Sequence, residues 1–158
     1  AGTAGEAGHM IVQPGGRSCP CGNHGCLEQY ISEPAVLSRY RELSGRTTVS
    51  IDDLVWAYNQ KETAALAVTD EFTTYLACGI NNLWNLFSPE CIILNCQLTA
   101  YLPQLLPEIL QKLSPRFRAT CHLKLSTLQD TGVLLGAAKV CISKYLGTEK
   151  LYFSGLQP

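Results

Sequence analysis

The sequence predicts an α/β fold, because helical and strand patterns alternate along it. Residues 62–87 carry apolar side chains at spacings of three and four, which predicts a long central helix. The run Cys91–Leu94 is continuously apolar, as in a buried parallel strand. His122–Leu125 alternates polar and apolar residues and predicts a second strand. Helical segments long enough to form crossover connections separate the strands, which is the pattern of the α/β class.

Two shorter helices are expected before the central one. Residues 32–34 (Ser-Glu-Pro) offer an N-cap and an early-turn proline, and apolar residues then follow at helical spacing up to Gly45. Ser50 and Asp53, three residues apart, resemble a capping box that opens the next helix. The central helix should end just before Pro89, because proline cannot continue a helix.

Two further helices are expected after the first strand. Residues 99–113 look helical, with Pro103 near the first turn and a kink at Pro107. Thr131–Leu146 has the pattern of a last helix. Gly132 and Gly136, four residues apart on that helix, would let a neighbouring element approach closely.

Composition and charge narrow the function classes. The chain has 158 residues, of which 46% are hydrophobic and 16% are charged, so it should fold around one core. A net charge of −1 gives no electrostatic footprint for nucleic acid or for an anionic membrane. The longest apolar runs, such as residues 133–138, are too short to span a bilayer, and the N-terminus has no signal-peptide pattern. We therefore expect a cytoplasmic protein.

Chemically active side chains are concentrated in residues 5–28, GEAGHMIVQPGGRSCPCGNHGCLE. Cys19, Cys21 and Cys26 with one histidine would complete a closed, structural zinc tetrahedron. His24 lies in a turn between two of the cysteines, where its ring could simply face solvent. His9 precedes an extended run and a Pro-Gly-Gly segment that lets the chain fold back, so we favour His9 as the fourth ligand.

The alternative for these cysteines is a disulfide or a reduced core position. Cys19 and Cys21 are only two residues apart with Pro20 between them, so a bond between them would be strained. A metal is therefore the preferred interpretation. The five remaining cysteines are scattered through apolar segments, where a free cysteine behaves as a small hydrophobic residue: Cys78, Cys91, Cys96, Cys121 and Cys141.

The cysteine segment resembles the two-part signature of the ROK family, which groups sugar kinases with sugar-responsive transcriptional repressors. The matching residues are GEAGH at 5–9 and CPCGNHGCLE at 19–28, and residues 85–94 and 131–138 look like two later family motifs in the right order. The resemblance covers most of the chain. It implies the C-terminal lobe of an actin/hexokinase-like (ribonuclease H-like) ATPase fold over residues 1–158, with a small zinc-binding loop at 9–28.

The resemblance also implies which residues of the cysteine segment bind sugar and which bind zinc. In the family, the residues that match Glu6, His9 and Glu28 hold hydroxyls of a bound sugar. The family's zinc ligands correspond to His9, Cys19, Cys21 and Cys26. Zinc would then orient His9 and Glu28 and need not be a catalyst. The alternative is that Glu6 and Glu28 are ordinary solvated carboxylates.

Two departures from the family pattern bear on function. The glycine-rich phosphate loop and the Asn-Asp pair of the family's first lobe are absent, so this chain alone cannot transfer a phosphoryl group. Asn95 and Cys96 stand where the kinases usually have paired glycines, and side chains there would obstruct nucleotide approach. The chain begins Ala-Gly-Thr, with its motif at the fifth residue, which we interpret as a piece of a longer protein.

We therefore expect a non-enzymatic module: the sugar-sensing and oligomerisation part of a ROK repressor, with no catalytic residue of its own. Its expected partners are a small-molecule sugar, a second copy in a homodimer or larger oligomer, and DNA only through a missing N-terminal domain. The alternative is the C-terminal half of an ATP-dependent kinase for a hexose or N-acetylhexosamine. A zinc ribbon that binds nucleic acid is disfavoured, because the motif lacks flanking basic residues and a second ligand pair.

Overall fold

The structure is a computed structural model that describes residues 5–128 and 131–147. A short 3₁₀ turn, Ala7–His9, comes first, and two strands, β1 (Cys91–Leu94) and β2 (His122–Leu125), lie in the second half of the chain. The helices in the described residues are α1 (Glu28–Ile31), α2 (Glu33–Ser44), α3 (Ile51–Asn59), α4 (Thr63–Phe87), α5 (Gln97–Tyr101), α6 (Leu105–Lys112), α7 (Pro115–Thr120) and α8 (Thr131–Leu146).

Helix α4 is the centre of the core, as the sequence predicts. Its 25 residues span about 37 Å, and α1, α2, α3 and α6 all pack against it. The side chains of Val68, Phe72 and Ile80 are among those buried at its contacts. Helix α4 ends at Phe87, and the next residue, Ser88, adopts the left-handed conformation directly before Pro89.

The two predicted helix starts are confirmed by side-chain caps. Ser32 accepts a hydrogen bond from the Ala35 backbone N–H at the start of α2, 3.4 Å away. Ser50 and Asp53 form a reciprocal capping box at the start of α3, in which the Ser50 N–H donates to the Asp53 carboxylate at 2.8 Å. These hydrogen bonds also lower the pKa of the Asp53 carboxyl. Each cap satisfies backbone donors that a helix leaves unpaired at its first turn.

Strands β1 and β2 pair in parallel, with Cys91 opposite His122 and Leu94 opposite Leu125. The α/β class and the positions of both strands agree with the sequence-based prediction, but the predicted burial of β1 does not. Its residues alternate between exposed and half-buried, and the side chain of Ile93 is 66% exposed. The described part of the chain contains a two-stranded sheet, and one face of β1 within it is uncovered.

The predicted helix over residues 99–113 is wrong in its extent. Two helices, α5 and α6, occupy this region, and the break falls at residues 102–104 around Pro103. Pro103 breaks the helix because it has no backbone N–H to donate to a helical hydrogen bond, whereas Pro107 lies in the first turn of α6, where a proline is tolerated. Helices α1 and α7 and the 3₁₀ turn were not predicted, because each is six residues or shorter.

Helix α8 forms where the sequence predicts it, but none of its described residues is buried.

The burial of cysteines outside the cysteine segment differs in part from the prediction. Cys121 is buried as predicted, but Cys91 and Cys141 are exposed, since β1 and α8 each present an uncovered face. No helix in the described ranges is long and apolar enough to cross a membrane.

Candidate metal and sugar site

The cysteine segment folds as an antiparallel loop that returns to its starting point. Residues 10–13 run alongside residues 25–27, with the Leu27 N–H donating to the Met10 carbonyl at 2.8 Å and the Val12 N–H donating to the Gly25 carbonyl at 2.9 Å. Ile11 and Cys26 are paired in this arrangement. The ladder brings His9, near its open end, next to Cys26.

Tight turns inside the loop aim the cysteines inward. The Cys19 N–H donates to the Asn23 carbonyl at 2.9 Å, which closes a turn over Cys19 to Asn23. Gly25 has a φ of +81°, and a Cβ atom there would lie 1.7 Å from the Gln13 carbonyl oxygen. Because only glycine avoids this contact at a left-handed φ, Gly25 fixes the place where the chain turns back toward Cys26.

Four potential ligand atoms meet inside the loop. One nitrogen of His9 and the sulfur atoms of Cys19, Cys21 and Cys26 all lie within 4.8 Å of one another. The Cys19 sulfur is 3.7 Å from His9 Nδ1, and the sulfurs of Cys21 and Cys26 are 3.6 Å apart. His24 is exposed and is not part of this group. The preference for His9 over His24 therefore agrees with the geometry.

The cluster has the dimensions and the chemistry of a zinc site. A zinc ion held by thiolates at about 2.3 Å has neighbouring sulfur atoms about 3.8 Å apart, at the edges of its tetrahedron. The separation of 3.6 Å between Cys21 and Cys26 is close to such an edge. Cys19 and Cys26 are buried, and three thiols with one imidazole leave no coordination position for water. The donor set fits a closed structural site.

The local environment affects the thiols differently. Burial raises the pKa of the Cys26 thiol to about 12. A hydrogen bond with the Asn23 backbone lowers the pKa of the Cys21 thiol. A coordinating cysteine is a thiolate, so metal binding at this site would release protons from the thiols.

Glu6 and Glu28, two of the three residues predicted to contact sugar, flank the imidazole of the third, His9. Glu28 Oε2 lies 3.8 Å from His9 Nδ1, and Glu6 Oε2 lies 4.0 Å from His9 Nε2. Since Nδ1 faces Cys19, Nε2 is left on the side of Glu6. All three side chains are partly exposed, so two carboxylates and one ring nitrogen are accessible to a polyhydroxylated ligand. Their role as sugar ligands stays a prediction.

A cavity of about 360 Å³ opens beside Glu28. This volume lies within the usual range for small-molecule sites. Its lining includes Gly8, Glu28, Glu33 and residues 95–97, together with apolar side chains such as Val36 and Phe72.

A second cavity, of about 200 Å³, lies at the carboxyl ends of β1 and β2. Its lining includes Asn95, Cys96, Tyr101 and Ser126. Ligands of open α/β sheets commonly bind at this end of the strands. The loop at residues 95–97 therefore lies between two cavities, one of which reaches Glu28.

Two residues near the site were not identified from the sequence. Gln29 donates through Nε2 to the Cys19 sulfur at 3.6 Å, and Arg17 donates through Nη1 to the Gln29 carbonyl at 2.8 Å. Arg17 is the one basic residue, Lys or Arg, within residues 5–28, and this is the sequence feature that could have pointed to it. Gln29 gave none, because its role depends on α1, which was not predicted.

The comparisons with known sequences agree with these features. A family model described as "ROK family" matches residues 1–144. The xylose repressor of Bacillus spizizenii is 30% identical over 154 residues, which are 95% of this chain and 40% of that protein. The N-acetyl-D-glucosamine kinase of Histophilus somni is 28% identical over 156 residues, which are 90% of this chain and 51% of that protein.

Solved structures with the same fold also include both sugar kinases and transcriptional regulators. The ROK hexokinase from Thermus thermophilus superposes with a TM-score of 0.72 at 25% identity and covers 90% of this chain and 50% of its own. A ROK family transcriptional regulator, described as a homologue of E. coli MLC, has a TM-score of 0.70 at 28% identity and covers 91% of this chain and 40% of its own. The chain spans about 40–50% of the length of these relatives. Its α/β fold is that of the ROK sugar kinases and regulators, and the chain belongs to the ROK family.

Proposed function

We propose that this chain is the sugar-sensing part of a ROK-family transcriptional repressor, with a structural zinc ion in its cysteine loop. The observation that carries the proposal is the arrangement around His9: three cysteine sulfurs within 4.8 Å of one of its ring nitrogens, and Glu6 and Glu28 within about 4 Å of its ring nitrogens. A metal ion on Nδ1 would fix the ring and leave Nε2 toward a ligand hydroxyl.

The proposed zinc has a positioning role. Cys26 is directly followed by Leu27 and Glu28, so a metal held by Cys26 would fix the chain two residues before the sugar-binding carboxylate. Each carboxylate would accept hydrogen bonds from sugar hydroxyls, and the zinc ion would supply only rigidity. The proposal assigns His9, Cys19, Cys21 and Cys26 to the metal, and assigns Glu6, His9 and Glu28 to the sugar.

The xylose repressor relative supports the repressor assignment. Contact with DNA would be made by a domain outside this chain, because the net charge of −1 offers no basic surface for phosphates. A cytoplasmic location is part of the same proposal. It is consistent with eight cysteines that are all free thiols.

Self-association is a further part of the proposal. Phe87 at the end of α4 and Val133, Leu134 and Tyr145 on α8 are large apolar side chains that are more than two-thirds exposed. Exposed apolar surface of this kind commonly marks an interface. Sedimentation of the chain at micromolar concentration should show a dimer or a larger species, and a single monomeric species would contradict this part.

The alternative is the C-terminal half of an ATP-dependent sugar kinase. The kinase relatives and the cavity at the carboxyl ends of β1 and β2 favour it. The side chains of Asn95 and Cys96 line that cavity and reduce the room for a nucleotide. The parent protein should therefore show no sugar-dependent release of ADP, whereas turnover at kinase rates of about 1–100 per second would establish the alternative.

Calorimetric titration with D-xylose, D-glucose and N-acetyl-D-glucosamine tests the sugar site. Glu28→Gln should weaken binding of the preferred sugar by roughly tenfold to a hundredfold, because it replaces a charged acceptor with a neutral amide. Glu33→Gln is the matched control, since Glu33 lines the same cavity but makes no contact with His9. Equal effects of the two variants, or no binding of any of the three sugars, would refute the assignment.

A further inference from the structure

Arg17 joins the cysteine loop to two other elements of the fold. Its Nη1 donates to the Gln29 carbonyl in α1 at 2.8 Å, and its Nη2 forms an ion pair with Glu71 in α4. Its guanidinium carbon lies 4.5 Å from the centre of the Tyr30 ring. The Arg17 backbone N–H also donates to the Tyr30 hydroxyl at 3.0 Å. One side chain therefore contacts the helix that begins at Glu28 and the central helix of the core.

Helix α1 depends on such contacts for its position. It has four residues, Glu28–Ile31, and no side-chain hydrogen bond caps its start. A helix this short is not stable by itself, because nucleation costs more than its few hydrogen bonds return. Its other contacts include the stacking of Tyr30 on Tyr75, with ring centres 4.0 Å apart, the packing of Leu27 against Gly79, and the packing of Ile31 against the core.

The partner of Arg17 is itself held in place. Glu71 is a mostly buried carboxylate on α4, and its other oxygen accepts from Arg39 Nε at 3.2 Å. Arg39 lies on α2 and also contacts Glu42, and among the described residues none of its hydrogen bonds or ion pairs reaches α1 or the cysteine loop. The two arginines thus share one acceptor, and of the two it is Arg17 that also hydrogen-bonds to α1.

We propose that Arg17 is a positioning residue that fixes Glu28 relative to His9 by holding α1 on α4. The sugar role of Glu28 rests on the proposed function, whereas the anchoring of α1 does not. The metal ligands lie within the loop itself, so loss of Arg17 should leave the metal cluster intact and release α1. The planar guanidinium places its two Nη groups on separate acceptors while its face lies over the Tyr30 ring, a fixed geometry that the compact ammonium of lysine does not reproduce.

Hydrogen–deuterium exchange and cobalt spectroscopy of the chain test this directly. In Arg17→Gln, the amides of α1 should exchange about tenfold faster or more, since local opening no longer breaks the Arg17 contacts. The spectrum of the Co²⁺-substituted protein should keep its tetrahedral form and one metal per chain. Affinity for the sugar that wild type binds best among D-xylose, D-glucose and N-acetyl-D-glucosamine should fall about tenfold to a hundredfold.

Two matched variants distinguish a positioning role of the Arg17 side chain from a general effect of its positive charge. Arg17→Lys keeps the charge and should recover little of the exchange protection, whereas Arg39→Gln removes a contact to the same Glu71 and should leave α1 exchange unchanged. Unchanged α1 exchange in Arg17→Gln, loss of metal in parallel with α1 protection, or an equal effect of Arg39→Gln would each overturn the proposal. If wild type binds none of the three sugars, the proposed function fails and the exchange measurements alone decide the role of Arg17.

Discussion

Replacing Cys19 by serine is the most direct perturbation of the proposed metal centre. The Cys19 side chain is 4% exposed, and its sulfur lies 3.7 Å from His9 Nδ1 and accepts from Gln29 Nε2. Serine is nearly isosteric, but its hydroxyl does not ionise near neutral pH and is a poor zinc ligand. The substitution therefore removes one of four donors while leaving the loop with almost the same shape.

The expected magnitude follows from the ligand count. Structural zinc sites contribute about 10–16 kcal/mol of apparent binding free energy, so one donor of four accounts for roughly 3 kcal/mol. That loss corresponds to zinc affinity about a hundredfold weaker or more. Competition with a chromophoric chelator measures it, and the Co²⁺ spectrum should lose thiolate-to-metal charge-transfer intensity. Complete removal of metal from wild type should make the amides of residues 9–28 exchange faster, with the α4 core intact.

Cys121→Ser is the matched control. Cys121 is also buried, and burial raises its pKa, but it lies directly before β2, outside the metal cluster. This variant should lose about 1–3 kcal/mol of unfolding free energy through a buried hydroxyl and should keep wild-type zinc affinity. The reasoning would be refuted if Cys19→Ser bound zinc as tightly as wild type, if both variants lost zinc equally, or if wild type held no zinc.

Three further predictions concern the loop, a helix cap and the core. Gly25→Ala should abolish zinc binding through a backbone clash, whereas Gly22→Ala, at φ +93° with nothing within 4 Å, should cost only about 1–2 kcal/mol of strain, as zinc titrations and thermal melts would show. The capping box lowers the pKa of Asp53, so the stabilisation by the Asp53 carboxylate is present above pH 3.8 and is lost as the pH falls further. Wild type and Asp53→Asn should therefore differ in melting temperature at pH 7 and converge in acid. A difference in melting temperature that persists in acid would contradict this. Phe72→Ala should lower the unfolding free energy by about 3–5 kcal/mol in denaturant titrations, and a loss below 1 kcal/mol would refute its place in the core.

Periodicity and capping chemistry in the sequence accounted for most of the long elements. Helices α2, α3, α4 and α8 and both strands lie where local patterns predict them, because each carries a repeat or a cap that acts over neighbouring residues. The split between α5 and α6 was missed, because a proline is compatible both with the first turn of a helix and with a break or kink inside one. The local sequence around Pro103 and Pro107 does not distinguish these possibilities. The position of a short helix such as α1 depends on what packs against it, so it gives little local signal.

For the candidate site, the sequence by itself determined the donor types and the family, because the spacing of three cysteines and the glycines between them are local features. Only the tertiary structure decided that His9 rather than His24 lies with the cysteines, since that choice depends on how residues 10–13 pair with residues 25–27. The same holds for Arg17 and Glu71, which are 54 residues apart in the chain and meet only when the cysteine loop folds against α4. Burial likewise differs between Cys121 and Cys91, both in apolar segments, because it depends on which faces the rest of the fold covers.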